Sequence, residues 1–212
     1  MIPLLHDFEG ETVLVVGGGP VGARKARTFA REARTVVVSP AFVDREFGDA
    51  ELVRAAPAPE EVADWVERLD PALAVAATND DEVNEAVERA AREAGALVNR
   101  ADRSGGRDAG SVVVPATVRD DPVVAAVATG GAAPALSKEL RRRLEAEIEG
   151  AGPMADLLAE IRADLKAADV PPTDRRKAVR AVVGSSDVWK ALQEGLSNAR
   201  QEADRVMEAT ND

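Results

Sequence analysis

The sequence predicts an α/β fold: a doubly wound parallel sheet, then a strand-plus-helix segment, then a small all-helical C-terminal domain. Three observations point to it. Short apolar runs alternate with helical stretches of 10–15 residues, the pattern of parallel strands buried on both faces. A Gly-x-Gly-x-x-Gly motif stands between the first such run and the first helical stretch. From residue 153 onward the spacing is helical throughout.

The elements follow in order. "TVLVVGG" (12–18) reads as the first strand, 20–33 as a helix and "RTVVVSP" (34–40) as the second strand. "ELVRAAPAP" (51–59) is a short third strand. "PEEVADWVERL" is a helix with apolar spacing at Val62, Trp65, Val66 and Leu69. "LAVAATND" (73–80) gives the fourth strand, and "DDEVNEAVERAAREAG" a helix closed by Gly95. "ALVNRAD" (96–102) is the fifth strand. After the Gly-rich loop 103–110 come two β-branched runs, "SVVVPATVR" and "PVVAAVATGG", joined by "DDP" as a hairpin-like pair. Helices are expected at 134–150, with Pro134 at its N1 position, then at 153–168, 173–183 and 186–208. The resulting division is 1–115, 116–150 and 151–212.

With 212 residues, 45% of them hydrophobic, the chain can bury a sizeable core. No apolar run approaches the roughly 18 residues of a membrane span, and the N-terminus has no signal-peptide pattern, so a cytoplasmic protein is expected. The absence of cysteine excludes disulfides, a thiolate nucleophile and Cys-based zinc sites. Acidic residues number 38 against 27 basic ones, a formal charge of −11 that disfavours nucleic acid as a partner. Lys25, Lys138, Lys166, Lys177 and Lys190 are the only lysines, a balance that also fits a high-salt cytoplasm, where charge repulsion is screened.

The glycine motif is Gly17, Gly19 and Gly22. The first allows a tight turn, the second lets backbone approach a pyrophosphate, and the third permits close helix–sheet packing. The helix N-terminus then offers free N–H groups to phosphate. Where an acid would accept the ribose 2′-hydroxyl, the second strand ends in Ser39 and Pro40. Ser39 can still hydrogen-bond that hydroxyl. The nearest downstream arginine is Arg45, so NAD⁺ is favoured over NADP⁺.

Few side chains can do chemistry. The only histidine is His6, read as a surface or packing residue, and there is no tyrosine. Acid–base work therefore falls to carboxylates, Lys or Ser/Thr. Ligands of open α/β sheets sit beyond the carboxyl ends of the strands, which here supply Thr78, Asn79, Asp80, Asn99 and Asp102. Residues 78–81 also read as ordinary helix N-caps. Asp102 has no helix to cap; it forms either an Asx-turn or a catalytic carboxylate.

"VLVVGGGPVGARKARTF", "VAATNDDEVNEAVERAAREAGALVNRAD" and "SVVVPATVRDDPVVAAVATGGAAPALSKELRRRLE", in this order and spacing, resemble the siroheme synthase N-terminal module: precorrin-2 dehydrogenase, often also sirohydrochlorin ferrochelatase. The resemblance covers nearly the whole chain and is strongest over 12–145. It implies a Rossmann domain, a central dimerisation segment exchanged with a second copy, and a helical domain, hence a homodimer. It implies an NAD⁺ site with Gly17–Gly22 as phosphate loop, Pro20 and Val21 at its tip, Ser39, Pro40, Ala41 and Phe42 at the adenosine ribose, and Thr78 near the nicotinamide. The family also does without the ribose acid.

The same resemblance places Asp102 on the catalytic aspartate, which would take a proton as precorrin-2 gives a hydride to NAD⁺. In iron insertion it would remove pyrrole N–H protons or guide Fe²⁺ into sirohydrochlorin, with no permanent metal site. Asn99, Arg103 and Arg107 are assigned to the substrate, with Arg100 as a further local cation. Thr129, Gly130 and Gly131 form a nest-like turn suited to a substrate carboxylate. Thr129 stands where relatives often carry Ser, and the loop after Asp102 is a few residues longer, which bears on substrate contacts and on the chelatase step. Arg141–Arg143 read mainly as a solvated helix face with Glu partners one turn away. The apolar stripe Leu157, Leu158, Ile161 and Leu165 is assigned to packing on the dimer. The chain stops where bifunctional relatives continue into a methyltransferase, so uroporphyrinogen methylation is not expected. The alternatives are a dehydrogenase without chelatase function and a non-enzymatic NAD(H)-sensing domain.

Overall fold

The computed structural model describes residues 2–103 and 110–211. The chain forms two compact units, Met1–Val114 and Pro115–Asp212. In the first, β1 (Thr12–Val16), β2 (Arg34–Ser39), β3 (Glu51–Arg54), β4 (Leu73–Ala76) and β5 (Leu97–Arg100) form one parallel sheet in the order β3-β2-β1-β4-β5. Helices α1 (Pro20–Phe29), α2 (Val62–Leu69) and α3 (Asp81–Glu93) connect them.

The apolar run of β1 is explained by two faces that both need covering. Val13 and Val15 pack with Ala23, Ala26 and Phe29 of α1, while Leu14 and Val16 pack with Val62 and Val66 of α2 and Val83 and Val87 of α3. Each buried valine contributes about 1.5–3 kcal/mol of hydrophobic stabilisation. From β1 the chain winds outward through β2 and β3, then returns to β4 and β5 on the other side. That reversal opens a crevice at the carboxyl ends of β1 and β4.

Two elements differ from expectation in this unit. Helix α1 stops at Phe29 instead of running to 33, because Glu32 and Ala33 both donate to the Phe29 carbonyl in a turn that delivers Arg34 to β2. Residues 111–114 do not join a hairpin. Ser111 bridges Val98 of β5, Val112 N–H donates to the Val98 carbonyl at 2.7 Å, and Val112 and Val114 pack on the α1-side core.

In the second unit, β6 (Ala116–Asp120) and β7 (Val123–Val127) pair antiparallel, followed by α4 (Pro134–Glu147), α5 (Ala151–Ala167), α6 (Pro172–Gly184), α7 (Ser186–Glu194) and α8 (Leu196–Asn211). The single helix expected over 186–208 is broken at Gly195, whose φ of +122° suits glycine and lets α7 fold against α8. Leu157 and Ile161 of α5 are buried against Val182, Val188, Ala199 and Ala203, with Leu158 and Leu165 packed beside them. The α5 stripe therefore closes a core inside this unit, which corrects its assignment to a dimer contact. Among the described residues no helix is long and apolar enough to cross a membrane.

Candidate active site

The loop between β1 and α1 is built by three glycines that the protein itself requires and one that it does not. Gly17 has φ +121°, and a Cβ there would run into the Ala77 carbonyl. A Cβ on Gly18 would meet the Ala41 carbonyl and the Phe42 ring, and one on Gly22 the Gly17 carbonyl. Gly19 has an ordinary φ of −76°, and a Cβ there would meet no protein atom within 4 Å. It faces open space at the start of α1. The first helical bond runs from Ala23 N–H to the Gly19 carbonyl, so the Val21 and Gly22 N–H groups precede any intrahelical acceptor. The first turn has no acid and no side-chain cap. A phosphate group fits this cradle: the donors are free and the space a side chain would fill is empty.

At the end of β2, Ser39 is buried and its Oγ donates to the Ala41 carbonyl at 2.8 Å. The hydroxyl retains lone pairs that can accept from a ribose hydroxyl, the acceptor role an acid would play, without its charge. Pro40, Ala41 and Phe42 fold back onto the glycine loop through a Val43 N–H to Gly18 carbonyl bond of 3.0 Å, and Phe42 meets Phe47 edge-on. The parallel register places Arg54 of β3 opposite Ser39. Its Nη1 donates to the Pro40 carbonyl at 3.2 Å, and its guanidinium lies 5.9 Å from the Phe42 ring centre. The reading that no arginine sits beside Ser39, with Arg45 the nearest downstream in sequence, missed Arg54. The available signal was its place at the end of the strand neighbouring β2.

At the end of β4, Thr78 is pinned by Asn84 of α3. The Thr78 N–H and Oγ1 both approach Asn84 Oδ1, at 3.2 and 2.8 Å, and Asn84 Nδ2 donates to the Thr78 carbonyl at 3.0 Å. Asp80 caps α3, accepting from the Glu82 and Val83 N–H groups, as its sequence position indicates. Asn84 is fully buried and was not singled out from the sequence.

At the end of β5, Arg100 grips Asp102 with two parallel bonds, Nε to Oδ1 at 2.9 Å and Nη2 to Oδ2 at 2.6 Å. Its Nη1 reaches Glu88 of α3 at 2.7 Å, and Glu88 is also met by Arg92 at 2.6 Å. Hydrogen bonds from Arg100 hold the Asp102 carboxyl below the usual carboxylate range, against an opposing desolvation effect. The bonds to Asp102 push the Arg100 guanidinium higher still. Asp102 is thus a fixed, ionised carboxylate with 14% of its side chain exposed. Arg100, expected to be a cation open to substrate, is buried and fully engaged instead.

The other expected contacts fall as follows. Asn99 is buried and its Nδ2 donates to the Val112 carbonyl at 2.8 Å, tying residues 111–114 to β5. Arg103 reaches Glu85 at 3.4 Å and stays partly exposed. Arg107 lies outside the described residues. In the second unit, Thr129 Oγ1 lies 2.8 Å from Ser137 Oγ and 3.2 Å from the Ala133 carbonyl, with Gly130 and Gly131 both at positive φ ahead of α4. Arg141, Arg142 and Arg143 pair with Glu145 and Glu139 on an exposed helix face. His6 is exposed beside the Phe8 ring.

Residues 4–116 match the family model described as "Putative NAD(P)-binding". The chain is 39% identical to a siroheme synthase of Stutzerimonas stutzeri (strain A1501), over 97% of this chain and 43% of that protein. It is 30% identical to a precorrin-2 dehydrogenase of Methanosarcina barkeri (strain Fusaro), over 95% of this chain and 91% of that protein. The chain thus spans less than half the length of the siroheme synthases it matches. Among solved structures, SirC, precorrin-2 dehydrogenase, shares the fold with a TM-score of 0.70 at 24% identity, covering 97% of this chain and 100% of that one.

Proposed function

This chain belongs to the family of siroheme synthase N-terminal modules and precorrin-2 dehydrogenases, and we propose that it oxidises precorrin-2 to sirohydrochlorin with NAD⁺. The observation that carries this reading is the pairing, in one unit, of an open phosphate cradle at Gly19 with a fixed, ionised carboxylate at Asp102. When bound, NAD⁺ supplies a hydride acceptor.

The chain's own residues do the rest. The Val21 and Gly22 N–H groups receive the pyrophosphate, and Ser39 accepts from the adenosine ribose with Pro40, Ala41 and Phe42 shaping its seat. Thr78, held by Asn84, borders the nicotinamide half. The oxidation removes one hydride and one proton from precorrin-2, and an Asp102 carboxylate oxygen takes the proton. Arg100 occupies one lone pair on each oxygen, leaving the others to meet substrate. Arg103 and Arg107, which follow Asp102 in the chain, bind carboxylates of the tetrapyrrole. Iron insertion into sirohydrochlorin is part of the same proposal, with Asp102 removing pyrrole N–H protons and Fe²⁺ as substrate. We assign residues 116–150 to a homodimer contact, supported by α4, which has no buried residue, and by β6 and β7, which are largely half-buried.

Anaerobic incubation of precorrin-2 with NAD⁺, followed at the NADH absorbance, tests the reading. Wild type is expected to form NADH and sirohydrochlorin, and Asp102→Asn to lose about 10²–10⁴ in rate with NAD⁺ affinity retained. Wild-type rates in Asp102→Asn would remove Asp102 from the chemistry. NAD⁺ binding without NADH from wild type would overturn the dehydrogenase and favour a sensing domain.

A further inference from the structure

The adenosine end of the crevice carries a guanidinium that the proposed reaction does not use. Arg54 closes β3 directly across from Ser39, the last residue of β2. One of its donors is anchored to the Pro40 carbonyl, and its plane is steadied by the Phe42 ring. Its remaining N–H groups have no carboxylate partner among the described residues. This contrasts with Arg34 at the opposite end of the same strand pair, which is matched by Glu51 at 3.1 Å. Ser39 adds no negative charge, so the last residue of β2 does not itself repel an anion. In dinucleotide-binding sheets an acid at the end of β2 selects the free 2′-hydroxyl, whereas a nearby arginine accommodates a 2′-phosphate. This chain lacks the first and has the second.

We infer that Arg54, with Ser39 and the Pro40 carbonyl that anchors it, forms a subsite for a ribose 2′-phosphate, so that the crevice takes NADP⁺ as well as NAD⁺. This rests on the dinucleotide reading above and specifies its adenosine half. A guanidinium with one donor tied down still presents an N–H fork matched to phosphate oxygens. On a chain of net charge −11, such a local cation decides whether a doubly charged group is admitted.

Isothermal titration calorimetry of the full chain at low ionic strength, with 5′-AMP and 2′,5′-ADP as probes and NAD⁺ as reference, separates the possibilities. Wild type is expected to bind 2′,5′-ADP about tenfold more tightly than 5′-AMP, with the preference shrinking as salt is added. In Arg54→Gln the ratio should fall toward one through loss of 2′,5′-ADP affinity alone, and Ser39→Asp should reverse it by repulsion. NAD⁺ binding with no wild-type preference, or a preference that survives Arg54→Gln, overturns the Arg54 subsite and leaves the dinucleotide reading intact. Failure of NAD⁺ and 5′-AMP to bind at all overturns both.

Discussion

Two ion clusters of mirrored composition sit in different surroundings. In the first unit, Arg100 lies between Glu88 and Asp102 with only 5% of its side chain exposed. In the second, Glu139 lies between Arg142 and Arg143 on α4, with Glu139 41% and Arg142 70% exposed. The bond lengths are similar, 2.6–2.9 Å in the one and 2.9–3.1 Å in the other. Water makes the difference. Around Arg100 the charges depend on one centre, because removing the guanidinium leaves the Asp102 carboxylate without its clamp and Glu88 with Arg92 alone. Around Glu139, water solvates every member whether or not the pairs form. The buried cluster is therefore a rigid support for the carboxylate at the end of β5, and the exposed one belongs to a helix with no buried face of its own.

Arg100→Leu should show the contrast most strongly. It leaves Asp102 unpaired and Glu88 with Arg92 alone, and should lower stability by about 3–5 kcal/mol in urea unfolding. The pH dependence has a definite sign. Because Arg100 holds the Asp102 carboxyl below its ordinary value, the stabilisation is present above the unfolded carboxylate value of about 3.9 and is lost as pH falls through the folded one. Arg100→Leu should remove that acid-induced loss along with the stability. A variant that loses less than about 1 kcal/mol would break the distinction between the clusters.

A smaller effect is expected from Leu136→Asp on α4, where the side chain is half exposed. The intrinsic stability of the fold should change by no more than about 0.5 kcal/mol, but sedimentation should show the proposed homodimer shifting to monomer. A wild type that sediments as a monomer would remove α4 from any self-association. The smallest effect belongs to Arg142→Ala, which should leave the urea midpoint where it was. A measurable shift there would mean that the Glu139–Arg142–Arg143 face of α4, and not only the face of Leu136, is shielded from water in solution.

Local patterns were legible in the sequence, and nonlocal pairings were not. The apolar runs of β1, β2 and β4, the turn at Gly17, the Asp80 cap and the end of α3 at Gly95 depend on neighbours a few residues away, so composition and spacing locate them. Asp102 stood out because it ends a strand without a helix to cap. Its clamp did not, since Glu88 reaches Arg100 only once α3 packs on β5. Asn84 and Glu88, one turn apart beside the core positions Val83 and Val87, were the trace this left: two polar residues bordering an apolar face. Arg54 left only its place in a predicted strand as a trace, because the β2–β3 register is what brings it to Ser39. Gly195 sat inside a convincing helical period and broke it, a choice made by the packing of α7 on α8.

Gly19 has a consequence for how such a chain can drift. Neighbouring glycines are enforced by collision with backbone, so their replacement is penalised during folding. At Gly19 an added methyl group would collide with nothing in the protein and require no unusual backbone angle. A mutagenesis screen that scores only expression or thermal resistance is blind to this position. A screen for nucleotide retention would purge the same substitutions at once. Under the proposed nucleotide site, selection at residue 19 reports on the ligand alone, which makes it the position where a copy released from its reaction would first lose its glycine.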